Sequence, residues 1–553
     1  MRLSLGLLAL LIATALVPQT APQLPLPQDK TPPLCTVVGQ VVAASDGAPL
    51  KSARVALVPE HKEKHPHIYA TTSDSDGRFL LKNVEPGRYD FFANRVGFVD
   101  QHYQSQGTES GGAILTLRAG QKITDALFRL IVAAVITGRI MDEENQPMPG
   151  VSVNALRRSN DDDTEDDNPF FPPKRDLLPV ATAQTDDRGQ YRIFGLRPGE
   201  YYIKASDSLE PATSLADDDR TILESLGTGY AAMYYPGVTQ LDQAQIISVR
   251  AGEESQADFS MRHIKVVEVA GRVITPEGPA RNADVVLTPS GEDESSSSRY
   301  DRPDEKGSFT LKGVTPGAYT LRAFGQGDGD KVYVTNQKIE VGNDNVDSLT
   351  IALGVGVTLK GRVKAEGDSP AFLDQLAVAL QGDEAQWAGG SRVKKDGSFE
   401  IASVNEGKYS VVVWELQHDW YVKTARMGAE DILEEGLQIS KDSPGGTIEI
   451  VLSKDAAQLE GSVTEHDKPL IGARVRLTPD PETRYNRSRS RRAKTDQSGH
   501  FSLIGLAPGK YRVVAKPPLS TTTPDLKSEP QALTLAEHDK KSIQLTIPAP
   551  QEN

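Results

Sequence analysis

Asp74-Ser75-Asp76-Gly77-Arg78-Phe79-Leu80-Leu81-Lys82-Asn83-Val84-Glu85-Pro86-Gly87-Arg88-Tyr89-Asp90-Phe91-Phe92-Ala93 is written four more times in the chain, beginning near Asp186, Asp304, Lys394 and Asp496. The glycine pairs Gly77/Gly87, Gly189/Gly199, Gly307/Gly317, Gly397/Gly407 and Gly499/Gly509 are always ten positions apart. A spacing without insertions marks a packed unit, so the chain reads as an array. The Asp-x-x-Gly opening suits a tight turn in which glycine takes the left-handed conformation and aspartate bonds its own turn. Phe79, Tyr191, Phe309, Phe399 and Phe501 are followed two residues on by Leu81, Ile193, Leu311, Ile401 and Leu503, the pattern of a strand with one buried face. Pro86-Gly87, Pro198-Gly199, Pro316-Gly317 and Pro508-Gly509 then turn the chain, and the fourth copy writes Glu406-Gly407 instead. Tyr89, Tyr201, Tyr319, Tyr409 and Tyr511 open the second strand and account for five of the 16 tyrosines. Each ring is predicted to pack in the core with its hydroxyl on a backbone acceptor at the corner.

Outward from the repeat, the same order of strands recurs. Val38-Gly39-Gln40-Val41, Thr137-Gly138-Arg139-Ile140, Ala270-Gly271-Arg272-Val273, Lys360-Gly361-Arg362-Val363 and Glu460-Gly461-Ser462-Val463 open five modules. An alternating strand follows each opening, as at Val55 to Leu57, and two closing strands follow each repeat, as at Ile114 to Leu117 and Ala126 to Leu130. About seven strands per module predicts an all-β chain of antiparallel sandwiches. The predicted limits are 35–133, 134–263 with long loops, 264–355, 356–455 and 456–547, with a tail at 548–553. Little linker separates the modules, which predicts an elongated monomeric array. The one helix-like stretch, Ala429 to Glu435, is short enough to be a single turn beside the fourth module.

The chain has 553 residues, with 61 basic against 76 acidic side chains and a net charge of −15, a balance that argues against a general nucleic-acid binder. Met1-Arg2 and the apolar run Leu3 to Val17 have the charge and length of a secretory signal, too short to span a membrane, and no later stretch could span one. The prolines of residues 18–34 form a linker, and Cys35, the single cysteine, excludes an intrachain disulfide. The expected protein is exported, to the periplasm, the cell surface or the medium.

The Gly-Arg-Val opening, the Asp-x-x-Gly-x-Phe strand and the Pro-Gly-x-Tyr turn resemble carboxypeptidase regulatory-like domains and the related collagen-adhesin B-type repeats. Tyr234-Tyr235-Pro236-Gly237 and Val249-Arg250-Ala251-Gly252 also look like long secreted bacterial members. The resemblance implies a transthyretin-like, seven-stranded sandwich and an accessory or carbohydrate-binding-like module, without a catalyst. Its shared residues are structural, so it says little about a ligand.

The residues that carry chemistry point the same way. None of the nine histidines is followed three places on by an acid, so the His-x-x-Glu pair of a zinc carboxypeptidase is missing, and no enzyme, metal or cofactor is expected. His61, His65 and His67 sit among lysines in a surface loop without a fixed acidic partner. The acidic run Asp161 to Asp167 has no glycine to shape a calcium loop and reads as a hydrated insert. The basic run Arg484 to Lys494 could meet an anionic polymer or be a hairpin loop kept soluble by charge. All three tryptophans fall in the fourth module. Val411 and Val413 take the inward register, which points Trp414 outward, and Trp414 with Trp420 and Tyr421 forms the candidate carbohydrate platform, helped by Gln417 and His418. The alternative is that these rings cover a loop or a neighbouring module. The function expected is a non-enzymatic envelope scaffold or binding protein for polysaccharide or envelope proteins, or else an accessory or substrate-binding arm of an extracellular polysaccharide- or peptide-processing system.

Overall fold

The computed structural model describes residues 32–548 except 61–65, 106–110, 159–176, 207–227, 231, 276–277, 281, 291–297, 327–331, 354–355, 368–371, 383–386, 441–445 and 519–525. The signal segment, most of the proline-rich linker, His61, His65, the acidic run and most of the tail lie outside the described residues.

Every copy of the repeat forms two strands. They are Arg78–Val84 and Gly87–Asn94, Gln190–Leu196 and Gly199–Ser206, Ser308–Val314 and Gly317–Gln326, Ser398–Val404 and Gly407–Trp414, and His500–Leu506 and Gly509–Lys516. The two strands of a copy belong to different sheets. In the first module the opening strand Cys35–Ala43 lies between Arg78–Val84 and Lys122–Leu130, while Gly87–Asn94 pairs with Arg54–Pro59 and Ile114–Leu117. The Pro-Gly corner is therefore where the chain crosses between sheets, and the side chains on the two inner faces form the core. Five hydrophobic clusters result, one over each copy.

The sandwich is mixed and not antiparallel throughout. Cys35–Ala43 runs parallel to Lys122–Leu130, Val267–Thr275 to Val346–Ala352, Val357–Ala365 to Thr447–Ser453, and Ala457–Glu465 to Lys540–Ile547. In the second module Ala134–Met141 pairs in the same sense with Glu254–Gln256 and Phe259–Ser260. A chain that changes sheets between its first and last strands can return in its original direction, which a hairpin cannot do.

The glycine of each module opening has a reason that the sequence reading missed. Gly39 lies opposite Phe79 in the ladder, and a Cβ there would come within 2.5 Å of the Phe79 ring and 2.0 Å of the Ala126 carbonyl oxygen. The glycine is a seat for the aromatic ring of the repeat.

Two expectations about shape are corrected. Ala429 to Glu435 is not helical: it holds the short strand Glu430–Asp431 and turns, because Glu430–Asp431 pairs back onto Tyr421–Met427. The modules also do not stand in an open line, since Ile114 of the first forms a parallel bridge with Asp496 of the fifth. Neighbours are joined closely enough to turn the array back on itself. Gly252 N–H donates to Val132 O at 3.1 Å and Arg197 to Asp100 O at 3.2 Å, fixing the second module on the first. Ala402 of the fourth packs on the third module's core. Short linkers restrict angles, as expected, but a restricted angle repeated along a chain curves it.

Candidate interaction surface at the junction of the fourth and fifth modules

The polar groups common to the copies are engaged in holding the fold. Tyr89, Tyr201, Tyr319, Tyr409 and Tyr511 donate to the carbonyls of Glu85, Arg197, Thr315, Asn405 and Ala507 at 2.7–2.8 Å, the corner bond predicted from the sequence. Asp74 Oδ1 accepts from the Asp76 and Arg78 amides, and Asp186, Asp304 and Asp496 do the same two and four residues on. In the fourth copy Lys394 takes that place, and Asp396 binds Ser398 instead. A site of interaction must therefore be built from residues that differ between copies.

The fourth module differs most. Its opening-strand sheet carries an added strand, Tyr421–Met427, antiparallel to Thr447–Ser453, at an edge where, among the described residues, the other modules have none. This placement settles the candidate rings. Trp420 is 4% exposed and Tyr421 2%, and Trp420 packs edge-on to Phe372 with ring centroids 5.4 Å apart. Neither can offer a face to a sugar. Trp414 is half-buried at the end of Gly407–Trp414, opposite Ala377, with its indole nitrogen buried. The register argument holds for Val411, which is in the core, but Ser410 and Val412 on the outer face are buried as well. The alternation of a strand gives the side of the sheet and not what lies over it.

What lies over it is the basic run. Ser410 Oγ donates to Arg484 O at 3.3 Å, Arg484 donates to Lys408 O at 3.4 Å, and Lys408 lies 4.7 Å from the Tyr485 ring centre. Tyr485 also packs on Gly436. Arg489 ion-pairs with Glu434, and Asn486 Nδ2 donates to Glu434 at 3.2 Å. The run is thus neither a loose loop nor an open basic face; it fastens the fifth module to the fourth. Gln417 and His418 lie by the same seam, since a Cβ on Gly505 would meet the His418 carbonyl oxygen at 2.0 Å.

A second polar group reinforces the junction. Lys423 Nζ lies 2.7 and 2.9 Å from the two oxygens of Glu366 and 2.7 Å from Glu537 of the fifth module, which also accepts from Tyr421 Oη at 3.3 Å. The hydrogen bonds from Lys423 hold both carboxyls below the usual glutamate range and raise the lysine above its own. Beside the Glu434–Arg489 contact, and almost wholly on the fifth module, is a cleft of about 380 Å³ lined by Glu434, Asp480, Thr483, Asn486, Arg489 and Lys510, among others. Among the described residues no group of three or more His, Cys, Asp or Glu gathers as a metal site, and no helix is long and apolar enough to cross a membrane.

Comparison with known proteins matches a family to the first two modules. Residues 36–125 and 135–262 match the carboxypeptidase regulatory-like domain. No curated protein matches the chain. Among solved structures it is similar to the Bacillus anthracis TIE protein, at 12% identity over 75% of this chain and 72% of that one, with a TM-score of 0.16. It is also similar to a streptococcal ancillary pilin, at 12% identity over 57% and 98% with a TM-score of 0.20, and to the minor pilin GBS52 of Streptococcus agalactiae, at 14% over 41% and 96% with a TM-score of 0.22. Likeness at these scores carries no argument about assembly or binding.

Proposed function

We propose, for a chain that carries carboxypeptidase regulatory-like domains, that it is a non-enzymatic exported scaffold of the cell envelope, built of five modules with the limits read from the sequence. The observation that supports this reading is the division of labour among polar residues. Those common to the copies close turns and corners, and those particular to one copy, such as Glu434, Arg489 and Lys423, join modules to each other. Such a chain holds surfaces at set positions. Screening the intact protein against peptide and glycoside substrates is expected to show no turnover, and turnover lost on adding a chelator would overturn the reading.

A second reading, a substrate-binding arm of a polysaccharide- or peptide-processing system, is favoured by the cleft at the junction. The cleft is half-open to solvent, and Thr483 and Lys510 bring hydrogen-bonding groups to it. It replaces the three-ring platform as the place for a sugar. A glycan array on the intact protein separates the two: a hit abolished by Lys510→Ala supports the arm, and no hit leaves the scaffold.

A further inference from the structure

The two ends of the array meet in a contact that carries several hydrogen bonds. The strand Ile114–Leu117 of the first module pairs on one side with Gly87–Asn94, and its other side would present unpaired backbone groups. The fifth module covers them. Thr116 N–H donates to Gln497 Oε1 at 3.0 Å, and Thr116 O accepts from Gln497 Nε2 at 2.9 Å. The Thr116 hydroxyl bonds Asp496 Oδ2 at 2.8 Å, and Ile114 N–H reaches Thr495 O at 3.4 Å. Arg88, ion-paired with Glu60, donates to Lys494 O at 3.3 Å and lies 3.9 Å from Asp496.

We infer that this contact is a releasable clasp: closed, it holds the array as a ring, and open, it bares the strand edge Ile114–Leu117 on an extended chain. Asp496 shows how release leaves both modules intact. Its Oδ1 holds the turn through the Ser498 and His500 amides, and only Oδ2 crosses to the first module. The clasp thus adds a bond to a finished turn without taking one from it. The cores also remain separate, with no residue of the first module's cluster in the fifth's. The junction of the fourth and fifth modules is different, since there the fifth module reaches the buried Ser410 of its neighbour and ion-pairs with its Glu434.

Two residues of the clasp, Gln497 and Arg88, are particular to their copies. The turn position of Gln497 is Ser75, Asp187, Glu305 and Lys395 elsewhere, and the position of Arg88 is Glu200, Ala318, Lys408 and Lys510. An amide supplies the donor and the acceptor that a strand edge asks for, and none of the other four residues carries one. Opening would exchange these bonds for bonds to water, the condition for a contact that can be made and broken.

Small-angle scattering on the intact chain at low concentration tests the clasp. The wild type is expected to be compact, and Thr116→Val with Gln497→Ser to shift toward an extended particle, on the order of 150 Å for five modules in line. Serine is the first copy's own residue at that turn, so the turn tolerates it. Exchange of the Ile114 and Thr116 amides is expected to quicken in the same variant. A wild type already extended, or a folded variant that scatters like the wild type, would overturn the clasp. Should the double variant unfold, Gln497→Lys, the fourth copy's residue, is read the same way.

Discussion

The tyrosine of the corner shows how one side chain carries the repeat. Tyr511 is 1% exposed and its hydroxyl donates to Ala507 O at 2.8 Å, linking the two sheets where the chain crosses between them. Burial pushes its pKa up to about 12, so it stays protonated and a donor throughout the physiological range. Tyr511→Phe keeps the ring and leaves a buried carbonyl without its partner, and is expected to destabilise the fifth module by about 1–2 kcal/mol in denaturant unfolding. The glycines frame the same unit from the other side. Gly77 has φ +71°, and a Cβ there would lie 2.4 Å from Val41 O, which is why the spacing admits no other residue.

At the scale of elements, the strand Tyr421–Met427 decides the character of the fourth module. By covering the edge of Thr447–Ser453 it places Trp420 and Tyr421 inside, where a surface platform had been expected. Trp420 emission is therefore expected to be shielded from aqueous quenchers and unmoved by any oligosaccharide, measured on a Trp387→Phe, Trp414→Phe background. Trp420→Ala, which empties a large core site, is expected to cost about 3–5 kcal/mol. Ready quenching of Trp420 in the folded protein would contradict its burial.

For the whole molecule, the seams between modules set the shape, and they respond to pH in a defined direction. Glu366 and Glu537 have folded pKa values depressed below the ordinary 4.5 by Lys423, so their contribution is present above that pH and is lost as pH falls through the folded values. Lys423 is raised above 10.5, so its contribution is present below that pH and fades only as pH rises through its folded value. All three groups are solvated, and the effect is small. The seam between the fourth and fifth modules is expected to hold through neutral pH and loosen in acid below about 4.5, which cleavage by an acid-active protease near 453–457 would report. Lys423→Met should remove this dependence. The clasp is weaker in kind, since each of its hydrogen bonds nets only about 1 kcal/mol against water.

The module is legible in the order of its residues alone. Period-two alternation fixes which residues face the core, a ten-residue glycine spacing fixes the two turns, and Tyr89 and its four equivalents mark the corner; all are local, because a strand's side-chain directions follow from its backbone. What each outer face meets depends on how the folded modules pack. Trp414 and the run Arg484 to Lys494 lie far apart in sequence, yet the run covers the strand that ends in Trp414, and Thr116 meets Gln497 across 381 positions. Alternation along a strand says nothing about a partner from another module, and the turns taken between modules, which no motif encodes, are what bring the first module round to the fifth.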